Sequence, residues 1–443
     1  MSLVAVTLSE WETLRPDPSS PLAGWNFDGN LQARKLAEQL TASRRIEVLE
    51  LSRGLQLRAG SFIGRFALGD LTVTVHPKLA DAPFLHLLRY AYSLRNLDLH
   101  EPVASAATRW SFQDLLVHQL IAETTELLAR GIHREYARTF DELGSPRGRI
   151  VFNRIPGNLA AARATLPCIY YPRCEDIILN QVVLGGIAFA TQLATGDLQI
   201  RLRRLVTRFS TSVRRRRLDR TLLRLAWRQM DRRTSAYRAP LTIISLLLQD
   251  YGLSLESPTT SLVLRGFLFD MNRFFQALVS RFLHDYLQDY HIQDQHRLKS
   301  LFSYDANRNP RGKKAPIQKP DFVIMRSGKI VAMLDAKYRE LWEKPLPREM
   351  LYQVALYAIS QENQRREAVI LYPTLSSTAV DQAILIHDPV TGEARAEVVL
   401  RPVNLLQLDH LLRDKSRQSE TCKRTLAYRI AFGPPSCGAK AIG

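Results

Sequence analysis

Cysteine is scarce in this sequence and does not cluster. Cys168, Cys174, Cys422 and Cys437 form no C-x-x-C pair, and four thiols in 443 residues are too few for a disulfide framework. Long apolar runs are also missing. Stretches such as Leu241 to Leu248 fall far short of the roughly 20 residues that span a membrane. Met1 to Pro16 has no basic segment followed by an apolar one, so the expectation is a cytoplasmic chain that neither enters nor crosses a membrane. No G-x-x-x-x-G-K-[ST] occurs, which argues against a P-loop motor. Acid is in deficit. The 61 Lys and Arg against 43 Asp and Glu leave a formal charge of +18. Such an excess fits an anionic partner, most commonly nucleic acid, yet an Arg-rich composition is also what a GC-rich genome produces. Charge alone leaves both readings open.

The length suits about two to four domains, and hydrophobic spacing divides the chain. Ile63 to Leu68 and Leu71 to Val75 are strand-like and separated by Gly69-Asp70, a hairpin signal, so residues 1–80 are expected to form a β-rich N-terminal domain. From Phe84 to about Asp250 the spacing turns helical, as in Phe112, Leu115, Leu116, Leu120 and Ile121 and again at Leu218, Leu222 and Leu225. Residues 81–260 therefore read as a mainly helical, basic middle region. On one helix there, Arg217, Arg220, Arg224 and Arg228 would share a face able to track phosphates, or simply a solvated face. A long helix is expected from Phe267, then strands, then a helix from about Pro347 to Gln361. Residues 261–415 thus form an α/β domain, with Asn307 to Lys319 as a loop. Past Lys415 periodicity fades, and residues 416–443 are expected to be a flexible tail.

Chemistry concentrates at Lys319-Pro320-Asp321-Phe322-Val323-Ile324-Met325 and Ile330-Val331-Ala332-Met333-Leu334-Asp335-Ala336-Lys337-Tyr338, joined by Arg326-Ser327-Gly328-Lys329. These runs predict a hairpin whose second strand is covered on both faces. Strand alternation puts Asp335 and Lys337 on one face and Ala336 on the other. A carboxylate and an ammonium at the end of a buried strand are costly unless paired with each other or with a metal. Asp321 supplies a second carboxylate nearby, and two such groups suit a hard cation that keeps several waters and accepts phosphate oxygens. Magnesium is the expected ion, manganese the alternative, with Asp321 and Asp335 as ligands. Lys337 would orient water or neutralise phosphate. An isolated D-x-K is also what an ordinary paired strand carries. Gln353 and Tyr357, four apart and so stacked on the next helix, add a Gln-x-x-x-Tyr pair that resembles RecB-like nucleases, where these residues support the site. In this order the residues read as a PD-(D/E)XK DNA endonuclease site.

The chain also resembles the McrC family, the nuclease subunits of McrBC modification-dependent restriction systems. The resemblance rests on Ile63-Gly64 through His76-Pro77-Lys78-Leu79, Gly148-Arg149-Ile150, Glu175-Asp176-Ile177-Ile178-Leu179-Asn180 and Phe269-Asp270-Met271-Asn272, besides the site. One departure stands out: Gln276 occupies a helix position where the family usually has Glu. The resemblance implies DNA with modified bases as substrate and a McrB-like AAA+ GTPase as partner, engaged and stimulated through the N-terminal part. The competing readings are a stand-alone RecB-like repair nuclease and a non-catalytic DNA-binding activator subunit.

Overall fold

In the computed structural model, residues 4–79, 81–94, 112–155, 165–250, 265–298, 301–361 and 366–434 are described. The N-terminal part runs β1 (Val4–Ser9), β2 (Thr13–Leu14), α1 (Leu31–Ala42), β3 (Ile46–Leu51), β4 (Gly54–Ala59), β5 (Phe62–Leu68), β6 (Leu71–His76) and α2 (Asp81–Ala91). The expected Gly69-Asp70 hairpin joins β5 to β6, and β1 adds to β6 in parallel. Strands β2, β4 and β3 make a separate small sheet. The strands alternate as a half-covered sheet should: Leu71, Val73 and Val75 are buried while Thr72 and Thr74 are not.

The middle region holds α3 (Phe112–Arg130), β7 (Glu135–Tyr136), β8 (Thr139–Leu143), β9 (Arg149–Ile150), β10 (Leu166–Tyr170), β11 (Arg173–Cys174), α4 (Ile178–Leu193), α5 (Gly196–Phe209), α6 (Arg220–Arg228) and α7 (Arg238–Asp250). It is less purely helical than its apolar spacing suggested, because β7 to β11 form two small sheets. The expected four-arginine helix face also changes. Asp219 caps α6 by accepting from Leu222 N at 2.7 Å, so Arg217 lies before the helix and only Arg220, Arg224 and Arg228 ride on it. The buried stripe is Leu222, Leu223 and Ala226, with Leu225 exposed. An N-cap Asp fixes the helix start more firmly than the arginine spacing can.

The C-terminal part contains β12 (Arg265–Asp270), α8 (Met271–Tyr286), β13 (His291–Asp294), β14 (Phe322–Arg326), β15 (Lys329–Ala336), α9 (Arg348–Ile359), β16 (Glu367–Thr374), β17 (Gln382–His387), β18 (Ala394–Asn404), α10 (Leu405–Arg413) and α11 (Arg417–Phe432). Two expectations are corrected here. The helix expected from Phe267 begins only at Met271. Phe267, Leu268 and Phe269 are buried in β12, which pairs with β5 and completes the N-terminal sheet in the order β1-β6-β5-β12. A side chain at Gly266 would collide with the backbone of Arg65 and Phe66, so glycine permits the close approach of β12 to β5. The expected boundary at 260/261 is therefore crossed by a shared sheet. The second correction is the tail: residues 417–432 form a helix, capped by Ser416 Oγ on Ser419 N at 3.1 Å and ended by Gly433 at φ 84°.

The C-terminal sheet has the order β13-β14-β15-β16-β18-β17. It is antiparallel from β13 to β15, and β15, β16 and β18 run parallel. Parallel strands need both faces covered, and they are. Phe322, Leu334 and Leu371 join the main core with α8 and α11, whereas Val323, Met333 and Ile370 pack with Val354 and Tyr357 of α9.

Candidate active site

Period-two alternation carries Asp335 to the same face as Met333, toward α9. Asp335 is 1% exposed. Lys337 follows on that face, its Nζ 2.7 Å from Asp335 Oδ2. Its position past the strand end is held by Lys337 N donating to Leu371 O at 2.9 Å. Ala336 turns to the opposite core, as expected. Asp321 stands just before β14, and its Oδ2 accepts from Ala336 N at 2.9 Å. The three residues the motif singled out, Asp321, Asp335 and Lys337, are therefore brought together.

Two amides absent from the expected site complete it. Gln276 of α8 and Gln295 after β13 both donate to Asp321 Oδ1, at 2.9 Å and 2.7 Å. Gln295 N also donates to Asp321 O at 2.8 Å. Gln295 holds φ 52°, a left-handed conformation uncommon for a non-glycine residue that surrounding contacts must maintain. Gln276 drew notice in the sequence only as a missing acid, and nothing in the sequence marks Gln295. On α9, Gln353 Nε2 donates to Tyr357 Oη at 2.9 Å, so the expected Gln-x-x-x-Tyr pair is formed, and Tyr357 is buried. Arg220, Arg224 and Arg228 belong to the middle region, outside this cluster.

Electrostatics set the character of the site. Burial, then the neighbouring Asp335 charge, pushes Asp321 up to about 6. Burial likewise raises Asp335, against the Lys337 ammonium that opposes it. Burial works against the charge of Lys337, but Asp335 and Asp321 outweigh it and hold the ammonium above its usual value. Burial also raises the Tyr357 phenol, which keeps it protonated. Apart from Lys337, Asp335 Oδ2 has no hydrogen-bond partner among the described residues. Two crowded, partly protonatable carboxylates, one with an under-satisfied oxygen, are what a divalent cation would relieve. No group of three or more His, Cys, Asp or Glu suited to a metal occurs among the described residues. Asp321 and Asp335 could hold a hard cation that takes its remaining ligands from water or substrate oxygens.

Fold and site together define a multidomain mixed α/β protein with an acid pair and a lysine at the ends of adjacent sheet strands. Residues 57–373 match the McrBC 5-methylcytosine restriction system component family, and the chain belongs to that family. Among solved structures it is similar to a chain of the refined half-complex from the tetradecameric assembly of Thermococcus gammatolerans McrB AAA+ hexamers with bound McrC. The two are 18% identical with a TM-score of 0.60, covering 95% of this chain and 99% of that one. At such identity the likeness establishes the fold alone. The cryo-EM structure of the Thermococcus gammatolerans McrBC complex also matches, at 19% identity over 64% of this chain and 88% of that one, with a TM-score of 0.46. A comparison with curated proteins finds no match.

Proposed function

We propose that this restriction-system component is its DNA endonuclease subunit, of the PD-(D/E)XK type, using magnesium, or manganese in its place, and working with a McrB-like AAA+ GTPase that it stimulates. The observation that carries the reading is the junction of two strand ends. Pro320-Asp321 opens β14, Asp335-Ala336-Lys337 closes β15, and the Ala336 N–H ties one carboxylate to the strand bearing the other. A stand-alone repair nuclease fits family membership less well. A non-catalytic activator has no use for the intact Asp321, Asp335 and Lys337.

Asp321 and Asp335 would hold the ion. When bound, magnesium supplies positive charge against phosphate oxygens and lowers the pKa of a water. Gln276 and Gln295 fix the rotamer of Asp321 from two elements, so its carboxylate is preorganised. Lys337 keeps its proton beside two acids and serves as a fixed cation toward the scissile phosphate or its attacking water. Gln353 and Tyr357 back this side of the site as one hydrogen-bonded pair. Arg220, Arg224 and Arg228 offer charge without a base-reading pattern, which suits backbone contact. Membership of the restriction-system family supports the partner, as does the fold shared with a chain from an assembly of McrB AAA+ hexamers with bound McrC. The test is cleavage of methylated duplex DNA by the full chain with its AAA+ GTPase, in magnesium and in EDTA.

A further inference from the structure

A second basic feature lies beside the acid pair, where the small N-terminal sheet faces the segment that follows Lys337. It is a cleft of about 350 Å³ lined by Trp11, Arg44, Arg45, Arg58, Arg339 and Lys344, with Glu47 and Glu340 as its acids. Glu47 pairs with Arg58 within the cleft at 3.6 Å, and Glu340 accepts from Trp342 N at 2.8 Å. Neither Arg44 nor Lys344 has a carboxylate partner among the described residues. Five cations against two carboxylates leave the cleft net positive, which concentrates anions.

Three further observations point to a ligand. Among the described residues Arg45 Nη1 is buried with no hydrogen-bond partner, its guanidinium 5.5 Å from the centre of the Phe62 ring, and a phosphate oxygen would satisfy that donor. Trp11 and Arg44 hold left-handed backbone at φ 63° and 54°, strain that gathers where side chains must be aimed. Finally, the cleft begins where the active site ends. Arg339 N donates to Lys337 O at 2.8 Å, two residues span at most about 7 Å, and the Arg339 guanidinium lies 5.8 Å from the centre of the Trp11 ring. Arginine forks suit phosphate oxygens.

We propose that this cleft binds the phosphodiester backbone of the DNA flanking the cleavage site, so that the N-terminal sheet takes part in holding the substrate. The inference rests on the reading of the chain as a DNA endonuclease, and its test avoids hydrolysis. Duplex DNA binding by the full chain is followed by fluorescence anisotropy in EDTA across a salt series. The variants are Arg44→Gln/Arg58→Gln and Arg44→Gln/Lys344→Gln, with unchanged thermal melting as the check on folding. Each lost phosphate contact should flatten the slope of log K against log salt by about 0.9, so each pair should flatten it by roughly twice that. Unmoved slopes in both cleft variants overturn the proposal, even if the cleft takes up inorganic phosphate, as does a wild-type chain that does not bind DNA. A wild type that binds with the expected slope but cuts nothing would remove the nuclease reading and leave the cleft standing.

Discussion

The Tyr338 hydroxyl donates to Glu10 Oε2 at 2.9 Å, across 328 residues of sequence. Tyr338 directly follows Lys337, and Glu10 directly follows β1, so the N-terminal sheet anchors the chain at the site's edge. Glu10 is 1% exposed. Burial raises its carboxyl to about 7, although Tyr338 and the Lys78 N–H and ammonium oppose the shift.

A pH dependence follows. The unfolded chain releases the Glu10 proton near 4.5 and the folded chain holds it to about 7. The folded state therefore binds more protons in that window, and stability declines as pH rises through it, by on the order of 3 kcal/mol. Glu10→Gln should lack this decline. Urea denaturation of both proteins at about pH 5 and about pH 8 reads the difference; parallel pH dependences would contradict it.

The shared sheet makes a second prediction. A fragment starting near the expected 260/261 boundary carries β12 without β5 and exposes Phe267, Leu268 and Phe269, all buried in the full chain. Exposing three such side chains costs roughly 2 kcal/mol or more each. The fragment should be protease-sensitive, with a broad, weak thermal transition. A sharp transition like that of the full chain would refute this dependence.

The acid pair and lysine were legible because alternation in an apolar strand is strict, and the residues sit within one hairpin. Strand β12 was not, because Phe267 to Phe269 run straight into Met271 and Phe274 of α8, and an apolar run alone does not separate strand from helix. Helix α11 hid for the opposite reason. Its buried positions include Ser419 and Lys423, and Lys423 is buried only because Asp414 O and Glu420 accept from it. The capping signals Ser416 and Gly433 were there to be read. Gln295 and Glu10 act across long stretches of chain, where a single sequence holds no register.

Gln276→Glu would set a third carboxylate beside Asp321, in place of an amide 2.9 Å away. Without metal the repulsion should raise Asp321 further and lower the melting temperature at neutral pH; with magnesium the extra acid should strengthen binding. The rise in melting temperature from EDTA to magnesium should exceed that of wild type by several degrees. Equal rises would show that Gln276 stands away from the ion.

Lys337→Ala should abolish cleavage while keeping metal binding, because in the proposed mechanism the lysine acts on water or phosphate and is itself no ligand. It also leaves Asp335 buried without its cation, at a cost of about 3 kcal/mol in metal-free protein. Calorimetry should record magnesium affinity at least equal to wild type. Loss of metal binding would contradict this division of roles.

Asp335→Asn keeps the shape of the side chain and removes the charge at the centre of the site. With the proposed AAA+ GTPase, magnesium and methylated duplex DNA supplied, single-turnover cleavage by this variant is the most direct measurement. The account predicts a fall of about a hundredfold or more with thermal melting and salt-dependent DNA binding retained; cleavage at the wild-type rate would contradict it.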